Sequence, residues 1–167
     1  MNPNDITRSV LKWLIYVLLH IFVARHLVLF NYAFCFFYIG AILFLPVEVN
    51  LTTLLFIGFF TGVAIDSFDN TLGLHVVVTV LIAYLRPIII QYQLGQKLTE
   101  GRIQISIREL GLAGFFSYTI LLISIHHTVL FLVEAGSFAL LPYTALKIIC
   151  SIAFTTVALL LAQLLSR

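Results

Sequence analysis

Hydrophobic residues fill 62% of 167 positions, charged residues only 10%, and the mean hydropathy is +1.13. Soluble domains are about half apolar and a quarter charged, so the sequence reads as one integral membrane domain over residues 1–167, with no room for a separate soluble catalytic module. The net charge of +2 is too small to argue for nucleic acid. Cys35 and Cys150 both lie inside apolar runs and suggest packing residues, not a disulfide framework or a zinc site.

Arg8 and Lys12 precede the first oily run, as in a signal sequence. Val23-Ala24-Arg25-His26 ends that run with a cation in place of a small-x-small cleavage site, which predicts an uncleaved first transmembrane helix. Apolar runs follow one another at about Val10–Ala24, Tyr32–Leu45, Leu51–Ile65, Leu72–Gln91, Gly111–Val133 and Leu140–Leu165. They predict an all-α polytopic membrane protein of six transmembrane helices in a compact bundle. A perpendicular helix needs about 20 residues to cross the hydrocarbon core. The first three runs must therefore borrow from their flanks, sit in a thinned bilayer, or include a re-entrant piece. Merging the second and third runs would bury Glu48 in lipid, whereas Pro46-Val47-Glu48-Val49-Asn50 reads as a turn.

Cations flank the spans unequally. Arg8, Lys12, Lys97, Arg102, Arg108 and Arg167 fall on one side of a six-span layout, against Arg25 and at most Lys147 on the other. The excess predicts that both termini are cytoplasmic, with Asp66, Asp69 and Glu134 gathered on the opposite face. The longest hydrophilic segment is Tyr92–Glu109. There Ile103, Ile105 and Ile107 alternate with polar residues like a strand, while Ile103, Ile107 and Leu110 also fit a short interfacial helix. A plain surface loop is the third reading.

The run from Gly58 to Pro87 is the most informative. Gly58, Gly62 and Asp66 are spaced by four and share one helical face, where the glycines invite close approach of another helix. The tight connection near Asn70 and Thr71 should return His75 to the depth of Asp66, making an Asp66–His75 hydrogen bond or ion pair plausible. His75, Thr79 and Arg86 fall near one face of the next helix, and Arg86, ahead of Pro87, is expected to snorkel as a cytoplasmic-end anchor. His126 and Lys147 flank a connection near Gly136 and should share a depth, with Lys147 needing Glu134, Asp66 or Asp69. The expectation is an outward-facing polar cluster of Asp66, His75, His126, His127, Glu134 and Lys147. Its plain reading is that these residues pair and hold the helices in register. A pocket for a ligand or a partner's side chain is the alternative. Adjacent histidines point about 100° apart on a helix and Lys147 would repel a cation, which argues against a metal site. No H-E-x-x-H, G-x-S-x-G or Walker motif is present, so neither catalytic residues nor a cofactor are expected.

Gly62-x-x-x-Asp66 followed by Leu72-Gly73-Leu74-His75 resembles the signature of the bacterial rod-shape-determining MreD family. Tyr38-Ile39, Leu43-Phe44-Leu45-Pro46 and Tyr84-Leu85-Arg86-Pro87 look like the same family, and Gly62, Asp66, Gly73, Pro46 and Arg86 are the positions carried over. The resemblance implies a multi-pass, non-enzymatic subunit of the lateral cell-wall elongation machinery in the bacterial inner membrane. Its implied partners are MreC first, then MreB, RodA and a class B penicillin-binding transpeptidase, with membrane lipid around them. It also implies a bundle similar to the substrate-binding subunits of energy-coupling-factor transporters.

Overall fold

The computed structural model describes residues 3–98, 104–137 and 141–165. Lys97 and its neighbours at 96–98 are described in backbone only, and Ile103, Arg102, Leu140 and Arg167 lie outside the described residues. The elements in chain order are α1 (Pro3–Phe22), β1 (Val28–Leu29), β2 (Ala33–Phe34), α2 (Gly40–Leu43), α3 (Leu51–Asp69), α4 (Leu74–Leu98), α5 (Ile107–Ala135) and α6 (Leu141–Leu165), with 3-10 turns at Ala24–His26 and Phe37–Ile39. Five of the helices are long and apolar enough to cross a membrane. The chain is a mostly helical membrane protein.

The helix ends follow local chemistry. The Asn50 side chain accepts from the Thr53 N–H at 2.8 Å and starts α3; Asn70, in the left-handed region at φ 55°, stops it. Ser106 caps α5 through the Glu109 N–H. Gly111 then bends that helix with φ 71° and ψ 167°, a conformation open to glycine alone. Pro87 lies inside α4, which continues to Leu98, seven residues beyond the expected end at Gln91. Much of the expected hydrophilic loop is thus helix. Ile105, Ile107 and Leu110 are buried in the main core, so the stretch before α5 docks inward instead of lying as a surface loop.

The second apolar run departs from the six-helix expectation. Tyr32–Leu45 forms no spanning helix. It enters through a two-stranded antiparallel hairpin (Val28 opposite Phe34, Leu29 opposite Ala33), then passes through the 3-10 turn and the single turn of α2. Near its start, Cys35 and Phe36 share a cavity with Arg25, His26 and Leu74. Leu45 and Pro46, at its other end, share one with Arg8, Ser106 and Gln163. The segment therefore runs lengthwise through the bundle, and its residues Tyr38 to Leu43 are fully or almost fully buried.

Non-helical backbone survives at such depth only where protein satisfies its polar groups, and α6 does this with two hydroxyls. Ser151 Oγ accepts from the Phe34 N–H at 2.9 Å and donates to the Tyr32 carbonyl at 3.3 Å. One turn later Thr155 Oγ1 accepts from the Phe36 N–H at 3.1 Å and lies 3.3 Å from the Phe34 carbonyl. Four helical residues rise about 6 Å and two strand residues about 6.6 Å, so hydroxyls spaced i, i+4 on a helix match every second residue of an extended chain. One face of α6 stands in for a neighbouring strand.

Candidate functional site

The turn between α3 and α4 builds the first polar centre. Asn70 and Gly73 both take positive φ, 55° and 83°, which folds the chain back within four residues. Asp66, still on α3, then faces the start of α4. Its carboxylate accepts from the His75 N–H at 3.0 Å, the Val76 N–H at 3.0 Å and the His75 Nδ1–H at 3.0 Å, and the Thr71 hydroxyl donates to it as well. Asp66 thus caps α4 from a neighbouring helix, satisfying two of the amide donors that a helix start leaves open.

Gly58 and Gly62 make this possible. A Cβ at Gly62 would lie 2.6 Å from both the Val76 nitrogen and the Thr79 hydroxyl, and one at Gly58 would lie 2.9 Å from the Thr79 carbonyl. The backbones of α3 and α4 are in near contact along this face. Gly73 instead has open space around it, so its role is conformational.

Asp69, the last residue of α3, is anchored against the end of α1. It lies 3.6 Å from the Arg25 guanidinium and 4.0 Å from Nε2 of His20, and Arg25 also donates to the Phe68 carbonyl at 2.9 Å. His20 is 2% exposed and neither ring nitrogen makes a hydrogen bond. Together with Asp69 and His75 it lines a cavity of about 380 Å³, with Arg25 and Glu134 also on its wall.

The two α5 histidines form a second, deeper centre. His127 Nδ1 lies 2.9 Å from the Ile123 carbonyl, which can only accept, so Nδ1 carries the proton and Nε2, 3.0 Å from Thr155 Oγ1, is the acceptor. His126 Nδ1 lies 3.3 Å from that protonated nitrogen and takes the acceptor role. Its proton is then on Nε2, which donates to the Tyr38 hydroxyl at 2.8 Å. Both rings pack against Phe36. The pair serves the lengthwise segment, one histidine through Tyr38 and the other through the Thr155 latch.

Arg86 corrects the sequence reading. It does not snorkel: it is 0% exposed, and it donates through Nε to the Leu43 carbonyl at 3.3 Å and through Nη2 to the Leu45 carbonyl. Tyr118 donates to the same Leu43 oxygen at 3.0 Å. The cation closes the Leu45 end of the non-helical segment, just ahead of Pro46. Lys147 is a second correction. No carboxylate pairs with it among the described residues; its ammonium lies 5.2, 5.5 and 5.3 Å from the ring centroids of Phe34, Phe131 and Tyr143, where the ring faces attract a cation. Nor does it share a depth with His126, because His127 is level with Thr155, two turns further along α6. Glu134 is exposed on the rim of the cavity that His75 also lines. Of the six residues expected in one outward cluster, His75 and His126 both pack against Phe36 and Tyr38, with Asp66 bonded to the one and His127 to the other, whereas Lys147 stands apart among its aromatic rings.

Sequence reasoning missed Ser151, Thr155, Tyr38 and Tyr118 as partners. The one available signal was the i, i+4 spacing of Ser151 and Thr155 on α6. Among the described residues no three His, Cys, Asp or Glu side chains converge as a metal-ligand set. No family model, curated protein or solved structure matches this chain.

Proposed function

We propose that this chain is a non-enzymatic inner-membrane subunit of the lateral cell-wall elongation complex, similar to MreD. In this reading it docks the transmembrane or juxtamembrane segment of MreC and helps couple the actin-like MreB to RodA and a class B penicillin-binding transpeptidase. One observation carries it. Three of the positions carried over by the resemblance serve buried internal contacts: Asp66 caps α4 at His75, Gly62 seats α3 on α4, and Arg86 holds the carbonyls ahead of Pro46. The Asp66 carboxylate and the Arg86 Nε and Nη2 groups are spent on an internal cap and internal carbonyls, as befits a scaffold acting through its apolar outer faces.

The finer architecture belongs to the same proposal. The segment 28–45 counts as a sixth crossing beside five helices, in a bundle similar to the substrate-binding subunits of energy-coupling-factor transporters. Arg8 and Lys12 mark the cytoplasmic end, with both termini on that side. Depletion in a rod-shaped host should round the cells and release MreC from its normal positions. Unchanged shape with unchanged MreC localisation would defeat the reading.

A small solute-binding or transport subunit is the second reading. The buried His20, whose ring nitrogens make no hydrogen bond, on the wall of the 380 Å³ cavity favours it. Uptake assays and mass spectrometry of co-purifying small molecules separate the two: a bound solute without a stable MreC complex selects transport.

A further inference from the structure

The cavity of about 380 Å³ lies at the end of the bundle that carries the α3–α4 turn, and α1, α3, α4, α5 and the stretch from Phe34 to Phe36 all contribute to its wall. Its polar groups are left incomplete. His20 is 2% exposed, yet neither ring nitrogen makes a hydrogen bond, which buried polar groups ordinarily do. The Asp69 carboxylate is short of donors too: the Arg25 guanidinium and the His20 ring stand 3.6 and 4.0 Å from it, beyond hydrogen-bond length. Glu134, exposed at the rim, joins no ion pair among the described residues.

We propose that this cavity binds a small alkylammonium solute, with Asp69 and Glu134 as the carboxylates that select its charge. The inference rests on the solute-binding reading and names its ligand class. The sign follows from the wall. Arg25 is the one permanent cation among the described lining residues, and it is already engaged, donating to the Phe68 carbonyl at 2.9 Å beside Asp69. Two carboxylates against one committed guanidinium leave an excess of negative charge. Lys147 rests on the Phe34 and Phe131 rings but does not line the cavity. Phe34, Phe36, Phe68 and Phe131 supply the aromatic part of the wall, and such rings attract a cation while covering its methylenes. Ligand pockets run from roughly 300 to 1,000 Å³, so this one suits a small solute.

Matched four-carbon probes separate the charge classes. Radiolabelled putrescine and radiolabelled succinate are each bound to the full-length protein in a neutral maltoside detergent, and unlabelled putrescine, γ-aminobutyrate and succinate compete. Putrescine should bind at least about fivefold more tightly than γ-aminobutyrate, the size of one exposed charge pair, and succinate should not compete. Glu134→Gln, at an exposed position, should weaken putrescine about fivefold without lowering thermal stability, and Asp69→Asn should weaken it by at least as much. Succinate or γ-aminobutyrate binding as tightly as putrescine overturns the ligand class while leaving a solute site in place. No saturable binding of either labelled probe overturns the inference together with the site, and putrescine affinity unchanged in both variants overturns it by placing the binding elsewhere. The ranking of the three probes on the unaltered protein decides the matter even where Asp69→Asn fails to fold.

Discussion

Asp66 shows how one carboxylate can hold two helices. Asp66→Ala removes the acceptor for two first-turn amides of α4, and each bare buried donor costs roughly 1–3 kcal/mol. Asp66→Asn keeps one acceptor oxygen and should fall between alanine and wild type. Asp69→Ala loses a pair whose Arg25 partner is 29% exposed, a contact worth no more than about 1 kcal/mol. Thermal unfolding in detergent should therefore rank wild type first, then Asp69→Ala, Asp66→Asn and Asp66→Ala. Equal losses at positions 66 and 69 would show that the cap carries no special weight. Arg86 belongs beside it. Arg86→Gln should strip the Leu45 carbonyl of its donor and leave Leu43 with Tyr118 alone, at roughly 1–3 kcal/mol for the orphaned oxygen. Arg86→Lys should rescue little, because one ammonium cannot reproduce the two-pronged contact. A fully stable lysine variant would contradict that geometry.

Among the elements, the α3–α4 hairpin was the most legible from sequence. Gly58, Gly62 and Asp66 repeat at helical spacing and His75 follows a short connector, so local periodicity alone brings them together. Gly62→Leu should force the two backbones apart, at roughly 1–3 kcal/mol for overpacking, and lower the yield of folded protein; normal yield would mean that the face tolerates separation. The α6 latch was not legible. Ser151 and Phe34 are 117 residues apart, and backbone amides leave no side-chain signature in sequence. Arg86 misled for a different reason: it lies near the expected end of its run at Gln91, yet α4 continues to Leu98, which turns a presumed terminal anchor into an interior cation. Lys147 misled because carboxylates were sought where aromatic faces serve. Ser151→Ala with Thr155→Ala should loosen the segment from Tyr32 to Phe36, seen as raised reactivity of the neighbouring buried Cys35 toward a membrane-permeant maleimide. Unchanged reactivity would mean that side-chain packing alone holds it.

At the scale of the whole molecule, orientation is directly measurable. Leu72 in the α3–α4 connector is fully exposed. In a variant lacking Cys35 and Cys150, Leu72→Cys should react with an impermeant thiol reagent added to intact cells, and labelling only after lysis would reverse the proposed topology. The hydroxyl latch on α6 also sets an order of events during synthesis. The stretch from Tyr32 to Phe36 leaves the ribosome long before Ser151 and Thr155, and meanwhile nothing in α6 can receive its amides and carbonyls. Lipid offers them no substitute. That stretch therefore lacks these hydrogen-bond partners until Ser151 and Thr155 have been made.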